Sequence, residues 1–273
     1  MKVRLIALDV DGTLTDDTHI RISERNKAAL RRCAERGIHI VLASGRPMAL
    51  MRPVAEELGC VRYVISANGG AVWDLKENQR IVSREIPPDI SEKIVKILLD
   101  YPIATEVYSE GQACVDLNWQ LKSYRKQPPA FLELRKRNNR FCEDLHQETA
   151  GKPVEKFNVD NMPEDILEKV LKRLQPMRDQ LALQFIKCYD NLEINSAKAT
   201  KGLALEDLCG RLKIPAKAVA AFGDSDNDVS MLSYAGVSYA MRNGESAAKE
   251  AAKYITGANS EDGIAEAIEK WVL

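Results

Sequence analysis

Two carboxylates stand two residues apart near the start of the chain, Asp9 and Asp11, and they follow the largely apolar run 3–8. Such a run predicts a strand buried on both faces, and Gly12 ends it because glycine tolerates the backbone angles of a sharp turn. Side chains alternate along a strand, so both carboxylates should point to the same side at its carboxyl end. Like charges held this close bind a cation or raise the pKa of one carboxyl group. The alternative interpretation is a polar turn in which Asp11 only caps the backbone.

Polar residues of complementary kinds follow three later segments of the sequence. Ser44 and Gly45 come after the apolar run 38–43 and before a predicted helix, whose N-terminus would suit an anion. Lys201 begins another predicted helix, and the run 223–228 places three aspartates after a buried strand. Phosphoryl transfer needs a nucleophile, a hard cation with oxygen ligands, and positive or N–H groups around the phosphate. These residues supply all three kinds of group.

Alternating strand and helix patterns cover both ends of the chain, which predicts an α/β fold with a parallel sheet. Between them the strands follow one another without strict alternation, which is typical of an α+β domain. We therefore predict a discontinuous core of residues 1–83 and 191–273, with residues 84–190 inserted as a second domain.

The composition is that of an ordinary globular protein, with 273 residues, 45% hydrophobic, 29% charged and a net charge of −1. This charge balance gives no reason to expect nucleic acid or an anionic membrane as a partner, and no obligate protein partner is implied. The first apolar stretch is too short for a signal peptide, and no run reaches membrane-spanning length. Six scattered cysteines without a Cys-x-x-Cys pair fit the reducing cytoplasm. The histidines share no metal-ligand spacing and are interpreted as structural or surface residues; they are His19, His39 and His146.

Four motifs, in this order, resemble those of the haloacid dehalogenase superfamily. They are DVDGTL at 9–14, SGRP at 44–47, KG at 201–202 and GDSDND at 223–228. The long insertion between the second and third motifs resembles the Cof-type branch, whose type IIB cap is an α+β domain. The resemblance covers the whole chain, although within 84–190 it is one of layout. It implies a Rossmann-like core, a cap that sets substrate specificity, and a phosphatase acting on a small phosphorylated metabolite, with a sugar phosphate favoured.

The resemblance also implies a role for each motif. Asp9 would be the nucleophile that forms an aspartyl-phosphate, and Asp11 would protonate the leaving alkoxide and then activate water, so its pKa should be raised. The cofactor would be Mg²⁺, and its ligands would be Asp9, the backbone carbonyl of Asp11, Asp224 and Asp228. The phosphate oxygens would be bound by the backbone N–H of Val10, Ser44, the backbone N–H of Gly45, Lys201 and Asn227. Asp226 should cap the helix that follows it.

Three basic residues leave questions open. Lys198 lies three residues before Lys201, which we prefer as the phosphate ligand because Gly202 and a helical pattern follow it. Arg46 either orients its loop or pairs with a carboxylate. Arg242 stands where the family usually has a small residue, and the sequence offers no explanation for it.

Two other functions are compatible with parts of the pattern. A phosphomutase of the same superfamily shares the first motif, but the run 224–228 has the phosphatase-like form. A non-catalytic phosphate-binding module would not need both Asp9 and Asp11. The basic stretch 122–140 is either a site for a second anionic group of the substrate or a solvated face, which we prefer because runs of charge usually lie at the surface.

Overall fold

The computed structural model describes residues 2–117, 119, 128–187 and 190–272. The chain divides into two compact units. The first unit is Met1–Arg46, Met51–Val82 and Thr200–Leu273, and the second is Pro47–Leu50 and Ser83–Ala199.

The described residues form both strands and helices, which are numbered separately in chain order. The strands are β1 (Leu5–Leu8), β2 (His39–Ala43), β3 (Val61–Ser66), β4 (Ala71–Asp74), β5 (Gln79–Ser83), β6 (Ala104–Ser109), β7 (Gln112–Asp116), β8 (Arg140–Cys142), β9 (Lys156–Asp160), β10 (Leu181–Ile186), β11 (Asn191–Ser196), β12 (Val219–Gly223), β13 (Val237–Met241) and β14 (Tyr254–Thr256). The helices are α1 (Glu24–Glu35), α2 (Met48–Leu58), α3 (Pro88–Leu99), α4 (Pro129–Asn138), α5 (Leu145–Thr149), α6 (Glu164–Leu174), α7 (Lys201–Leu212), α8 (Val229–Tyr234), α9 (Ser246–Ala251) and α10 (Gly263–Trp271).

The first unit is built on an eight-stranded sheet in the order β14-β13-β12-β1-β2-β3-β4-β5. The six strands from β14 to β3 are parallel, and β4 is antiparallel to β3. All four residues of β1 are fully buried, as expected for a continuous apolar run covered on both faces. The α/β fold expected from the sequence is therefore confirmed.

The start of the first helix shows how locally the sequence sets some of these boundaries. Ser23 is the N-cap of α1, and its hydroxyl accepts a hydrogen bond from the N–H of Asn26 at 3.1 Å. This bond satisfies one of the backbone donors that a helix start leaves without a partner. A serine that precedes an apolar stripe at helical spacing predicts a helix start at Ser23, and the structure confirms this prediction.

The second unit is built on a six-stranded sheet in the order β10-β11-β9-β6-β7-β8. Its neighbouring strands are antiparallel except for the pair β7 and β8. Alternate residues such as Val107 and Phe157 join a buried cluster with Ile94 of α3 and Val170 of α6. The strand β11 pairs with β9 and β10, so residues 191–199 lie in this unit and not in the first, where the sequence had placed them.

One arginine of the basic stretch is buried inside the second unit. Arg135 is 3% exposed and its Nη2 lies 2.8 Å from Glu106 Oε1 and 2.6 Å from Asp160 Oδ2. Buried charges of this kind are stable only when they are paired. Arg135 is therefore neither on a solvated face nor free for an anionic ligand, while Lys122, Arg125 and Lys126 lie outside the described residues.

Two expectations from composition concern the cysteines and membrane spans. In the part of the chain that the structure describes, the cysteines are free thiols; Cys188 lies outside it. None of the helices in the described ranges combines the length and the apolar character needed to cross a bilayer.

Candidate active site

Asp9 lies where β1 ends in the middle of the first sheet. The strand is paired with β2 on one side and β12 on the other, so the carboxyl ends of the three strands are neighbours. The N–H of Asp9 still donates to the carbonyl of Phe222 in β12, at 3.0 Å. The backbone then turns through Val10–Leu14, with non-helical angles at Asp11 and Gly12. This is the edge of an open α/β sheet at which ligands bind, beside the strand where the order reverses.

Lys201, which the sequence analysis preferred over Lys198 as the phosphate ligand, lies among the carboxylates of this site. Its Nζ lies 2.5 Å from Asp9 Oδ1, 2.7 Å from Asp228 Oδ1 and 3.2 Å from Asn227 Oδ1. Thr200 is the N-cap of α7, which sets the direction in which Lys201 leaves the helix start. Lys198, by contrast, is an exposed residue of the second unit.

Three carboxylates converge beside this lysine. Asp9, Asp224 and Asp228 each offer one oxygen, and these oxygens lie within 4.8 Å of one another. Thr13 donates from its hydroxyl to Asp224 Oδ1 at 2.7 Å, which fixes that carboxylate toward the turn. Three oxygen ligands with one lysine leave an excess of negative charge, and this donor set fits a hard divalent cation such as Mg²⁺.

The charge of this cluster shifts the pKa values of its members. Burial, with the nearby charge of Asp228, raises the pKa of Asp9 well above its usual value. The same two causes raise the pKa of Asp224 to about 7. Burial alone would lower the pKa of Lys201, but Asp228 and Asp9 outweigh it and raise that pKa. The carboxylates repel one another more than Lys201 can compensate, and an added cation would relieve this repulsion.

Asp11 lies in a different environment from Asp9. Arg46 donates from Nε to Asp11 Oδ2 at 2.9 Å and from Nη2 to Oδ1 at 2.6 Å, and His19 Nδ1 lies 2.8 Å from Oδ1. Burial would raise the pKa of Asp11, but the charge of Arg46 and the hydrogen bonds from His19 and Arg46 lower it far below its usual value. The expectation of a raised pKa at Asp11 is wrong for this structure, because Arg46 pairs with this carboxylate.

The remaining candidates for phosphate binding surround the same strand ends. Ser44 is buried and its hydroxyl accepts from the N–H of Arg46 at 3.1 Å, while Gly45 is half-buried between them. Asn227 accepts from Ser225 Oγ at 2.8 Å and donates to Asn68 Oδ1 at 3.1 Å. Val10 is the fully buried first residue of the turn after Asp9.

The helical turn after β12 is capped by residues other than the one expected. Ser225 is the N-cap, and Asp228 Oδ2 accepts the N–H groups of Asp224 at 2.9 Å and Ser225 at 3.1 Å. Asp226 is exposed. The prediction that Asp226 caps this helix is wrong, because serine at the preceding position forms a capping box with Asp228.

Two asparagines that support the turn at 10–15 were given no role from the sequence. Asn243 Nδ2 donates to the carbonyl of Gly12 at 2.8 Å, and Asn259 Nδ2 donates to that of Thr15 at 3.0 Å. Arg242, which the sequence left unexplained, pairs at the surface with Glu261 at 2.7 Å. His19 was interpreted as a structural or surface residue, and its only sequence signal was a polar loop close to the first motif.

Gly12 gives a test of how tightly this turn packs against Asp224. Its φ is +77°, and a Cβ built there would lie 2.6 Å from Asp224 Oδ2. We expect Gly12→Ala to lower the free energy of unfolding by about 1–3 kcal/mol through backbone strain and to displace Asp224 as well. Urea unfolding and phosphate release measure the two effects.

Gly37→Ala is the matched control for this variant. Gly37 has nearly the same φ, +79°, but no atom lies within 4 Å of the added Cβ. Gly37→Ala should therefore lower the free energy of unfolding through backbone strain, without loss of activity. If Gly37→Ala lost as much stability and as much activity as Gly12→Ala, the contact with Asp224 would be unimportant.

The chain belongs to the haloacid dehalogenase-like hydrolase family, whose family model matches residues 6–268. Among solved structures, a haloacid dehalogenase-like hydrolase from Bacteroides thetaiotaomicron has a TM-score of 0.85 at 30% identity, covering 98% of this chain and 99% of its own. A solved subclass IIB sugar phosphatase is similar in fold, with a TM-score of 0.81 at 20% identity.

Two curated relatives are similar over nearly their whole length. The 5-amino-6-(5-phospho-D-ribitylamino)uracil phosphatase YcsE of Bacillus subtilis (strain 168) is 30% identical, covering 99% of this chain and 96% of the relative. The phosphatase YwpJ of the same organism is 31% identical, covering 96% and 98%. The protein is a phosphatase of this family.

Proposed function

We propose that this phosphatase hydrolyses a small phosphorylated metabolite, with a sugar phosphate as the favoured class, in a Mg²⁺-dependent reaction through an aspartyl-phosphate. The observation that carries the proposal is the convergence of Lys201 with Asp9, Asp224 and Asp228 at the end of β1. By its name, the relative YcsE acts on a phosphate ester of a ribityl group, which supports a phosphorylated polyol or sugar as the substrate class.

In the first step, a carboxylate oxygen of Asp9 attacks phosphorus, and the bond between phosphorus and the ester oxygen breaks. Lys201, Ser44 and the N–H groups of Val10 and Gly45 bind the phosphate oxygens and stabilise the charge that builds up on them. Asp11 donates a proton to the leaving alkoxide. The negative charge of a bound phosphate would raise the pKa of Asp11 against the effect of Arg46, which favours this donation.

In the second step, Asp11 takes a proton from water, which attacks phosphorus and breaks the bond to Asp9. Phosphate leaves and Asp9 is regenerated, so the proton given to the alkoxide is replaced by one from water. Mg²⁺, held by the side chains of Asp9, Asp224 and Asp228 and the backbone carbonyl of Asp11, would supply neutralisation of the phosphate charge.

We also propose that the second unit determines which leaving group the enzyme accepts, that is, which part of the metabolite is attached to the phosphate. The residues at the end of β1 account for the phosphate, the metal and the nucleophile, and none of them is left to recognise the rest of a metabolite.

A reducing compartment such as the cytoplasm is also proposed, because the described cysteines are free thiols.

We expect phosphate release to require Mg²⁺, to stop in excess EDTA and to be inhibited by Ca²⁺, which takes a larger and less regular shell of ligands. The measurement is phosphate release from p-nitrophenyl phosphate and from a panel of phosphorylated metabolites. Full activity in excess EDTA would contradict the proposal.

Metal binding has a readout that does not depend on turnover. Mg²⁺ should raise the melting temperature of the unchanged protein by stabilising the folded state. Asp224→Asn should reduce this shift, whereas Gly37→Ala should keep it. An equal shift in Asp224→Asn would remove Asp224 from the ligand set.

A further inference from the structure

His19 and Arg46 hold Asp11 from two sides. Both oxygens of the carboxylate accept from the guanidinium of Arg46, and Oδ1 also faces the ring of His19. Arg46 is 4% exposed, and its Nη2 donates in addition to the carbonyl of His19 at 2.5 Å. Each of the three residues therefore contacts the other two, although 35 positions separate Asp11 from Arg46.

We infer that His19 is a positioning residue, which acts through Asp11 by holding its carboxyl group in the orientation needed for proton transfer. The inference rests on the proposed function of Asp11. An ionised carboxylate only accepts hydrogen bonds, so Nδ1 of His19 carries the proton that points to Asp11. The ring thus fixes an oxygen that Arg46 already binds and restricts rotation of the Asp11 side chain.

The backbone around His19 forms a tight turn, which sets the position of the imidazole ring. The N–H of Asp16 donates to the carbonyl of Arg21 at 3.0 Å, and the N–H of His19 donates to that of Asp16 at 2.9 Å. This tight turn places His19 in the left-handed region, at φ 59°. A positive φ is uncommon for residues other than glycine, and histidine is one of the few types enriched in this region, so His19 suits the turn that sets the position of its ring.

Two variants of His19 distinguish the effect of its ring from the effect of the turn that carries it. His19→Gly removes the ring and suits a positive φ, so the turn should be retained. His19→Asn also tolerates a positive φ, and its side-chain N–H₂ stands as many bonds from Cβ as Nδ1 of histidine. Lys213→Gly, at another left-handed position with φ 52° in an exposed residue, controls for introducing glycine at such a site.

The readout is kcat/KM for two substrates that differ in their need for an acid. This parameter covers the steps up to loss of the leaving group, so it excludes the later attack of water. We expect His19→Gly to lower kcat/KM about 10- to 100-fold for a hexose phosphate, because a small displacement of a catalytic group costs up to about this much. For p-nitrophenyl phosphate, whose leaving group hardly needs a proton, the loss should be below about threefold. His19→Asn should recover most of the loss, and Lys213→Gly should show none.

A double variant tests whether His19 acts through Asp11. Adding His19→Gly to Asp11→Asn should cost no more than Asp11→Asn alone, because the group to be positioned is already inactive. Additive losses, equal losses on both substrates, or no loss in His19→Gly would each overturn the inference. Failure of the proposed function is distinguishable: the unchanged protein would then release no phosphate from either ester in Mg²⁺, and the inference would fall with it.

Discussion

Asp9→Asn is expected to lower the rate of phosphate release by about four orders of magnitude or more, because it removes the proposed nucleophile. The amide keeps the volume of the side chain but neither attacks phosphorus nor carries the charge that a metal ligand supplies. Steady-state release from p-nitrophenyl phosphate and from the best substrate of the panel measures this loss.

The fold should survive this substitution. Burial and the charge of Asp228 disfavour the ionised form of Asp9, so its loss removes an unfavourable charge as well as a favourable pair. Lys201 keeps Asp228 at 2.7 Å as a partner, so no buried lysine is left alone. We expect the free energy of unfolding to change by no more than about 2 kcal/mol, measured by urea unfolding.

Asp226→Asn is the matched control for Asp9→Asn. It makes the same chemical change in an exposed aspartate of the fourth motif. Its turnover should stay close to that of the unchanged protein. Turnover of Asp9→Asn within tenfold of the unchanged protein would exclude Asp9 as the nucleophile.

Asp11→Asn is expected to lower kcat/KM for an alkyl phosphate by about 10²–10⁴-fold, the usual contribution of a general acid. The loss for p-nitrophenyl phosphate should be much smaller, because p-nitrophenolate leaves without a proton. The amide still offers an oxygen to Arg46, so the position of the side chain should be largely kept.

Asp11→Asn should also slow the second step of the reaction, the hydrolysis of the aspartyl-phosphate. Attack of water on the aspartyl-phosphate needs Asp11 as a base for every substrate, so the covalent intermediate should accumulate. Rapid mixing with p-nitrophenyl phosphate should then show one equivalent of p-nitrophenolate released quickly, followed by slow turnover. Equal losses of kcat/KM on both kinds of substrate would mean that Asp11 has another role.

Much of the first unit could be predicted because its signals are local. The run 3–8 is apolar enough to identify a strand buried on both faces, and the alternation of strands and helices indicated a parallel sheet. Ser23 marked the start of α1, because a serine hydroxyl can satisfy a helix donor three residues later. Patterns of this kind depend on residues within one or two turns of each other.

The second unit was harder to predict for a reason that Arg135 illustrates. The segment 119–150 lacks a clear period, and the strand β8 and the helices α4 and α5 within it were not identified. A basic stretch normally indicates solvent, but Arg135 is buried because Glu106 and Asp160 come to it from distant strands. Likewise, β11 joins the second sheet through its pairing with β9, which its own sequence does not specify.

The sequence by itself determined which chemical groups the site contains: carboxylates after two buried strands, a hydroxyl and a glycine before a helix, and a lysine at a helix start. Only the tertiary structure decided how they are paired. Lys201 reaches Asp9 across 192 positions, and Arg46, instead of leaving Asp11 with a raised pKa, lowers it. Residue types are local properties of the chain, whereas pKa values and ion pairs depend on distances and burial, which exist only once β1, β2 and β12 lie side by side.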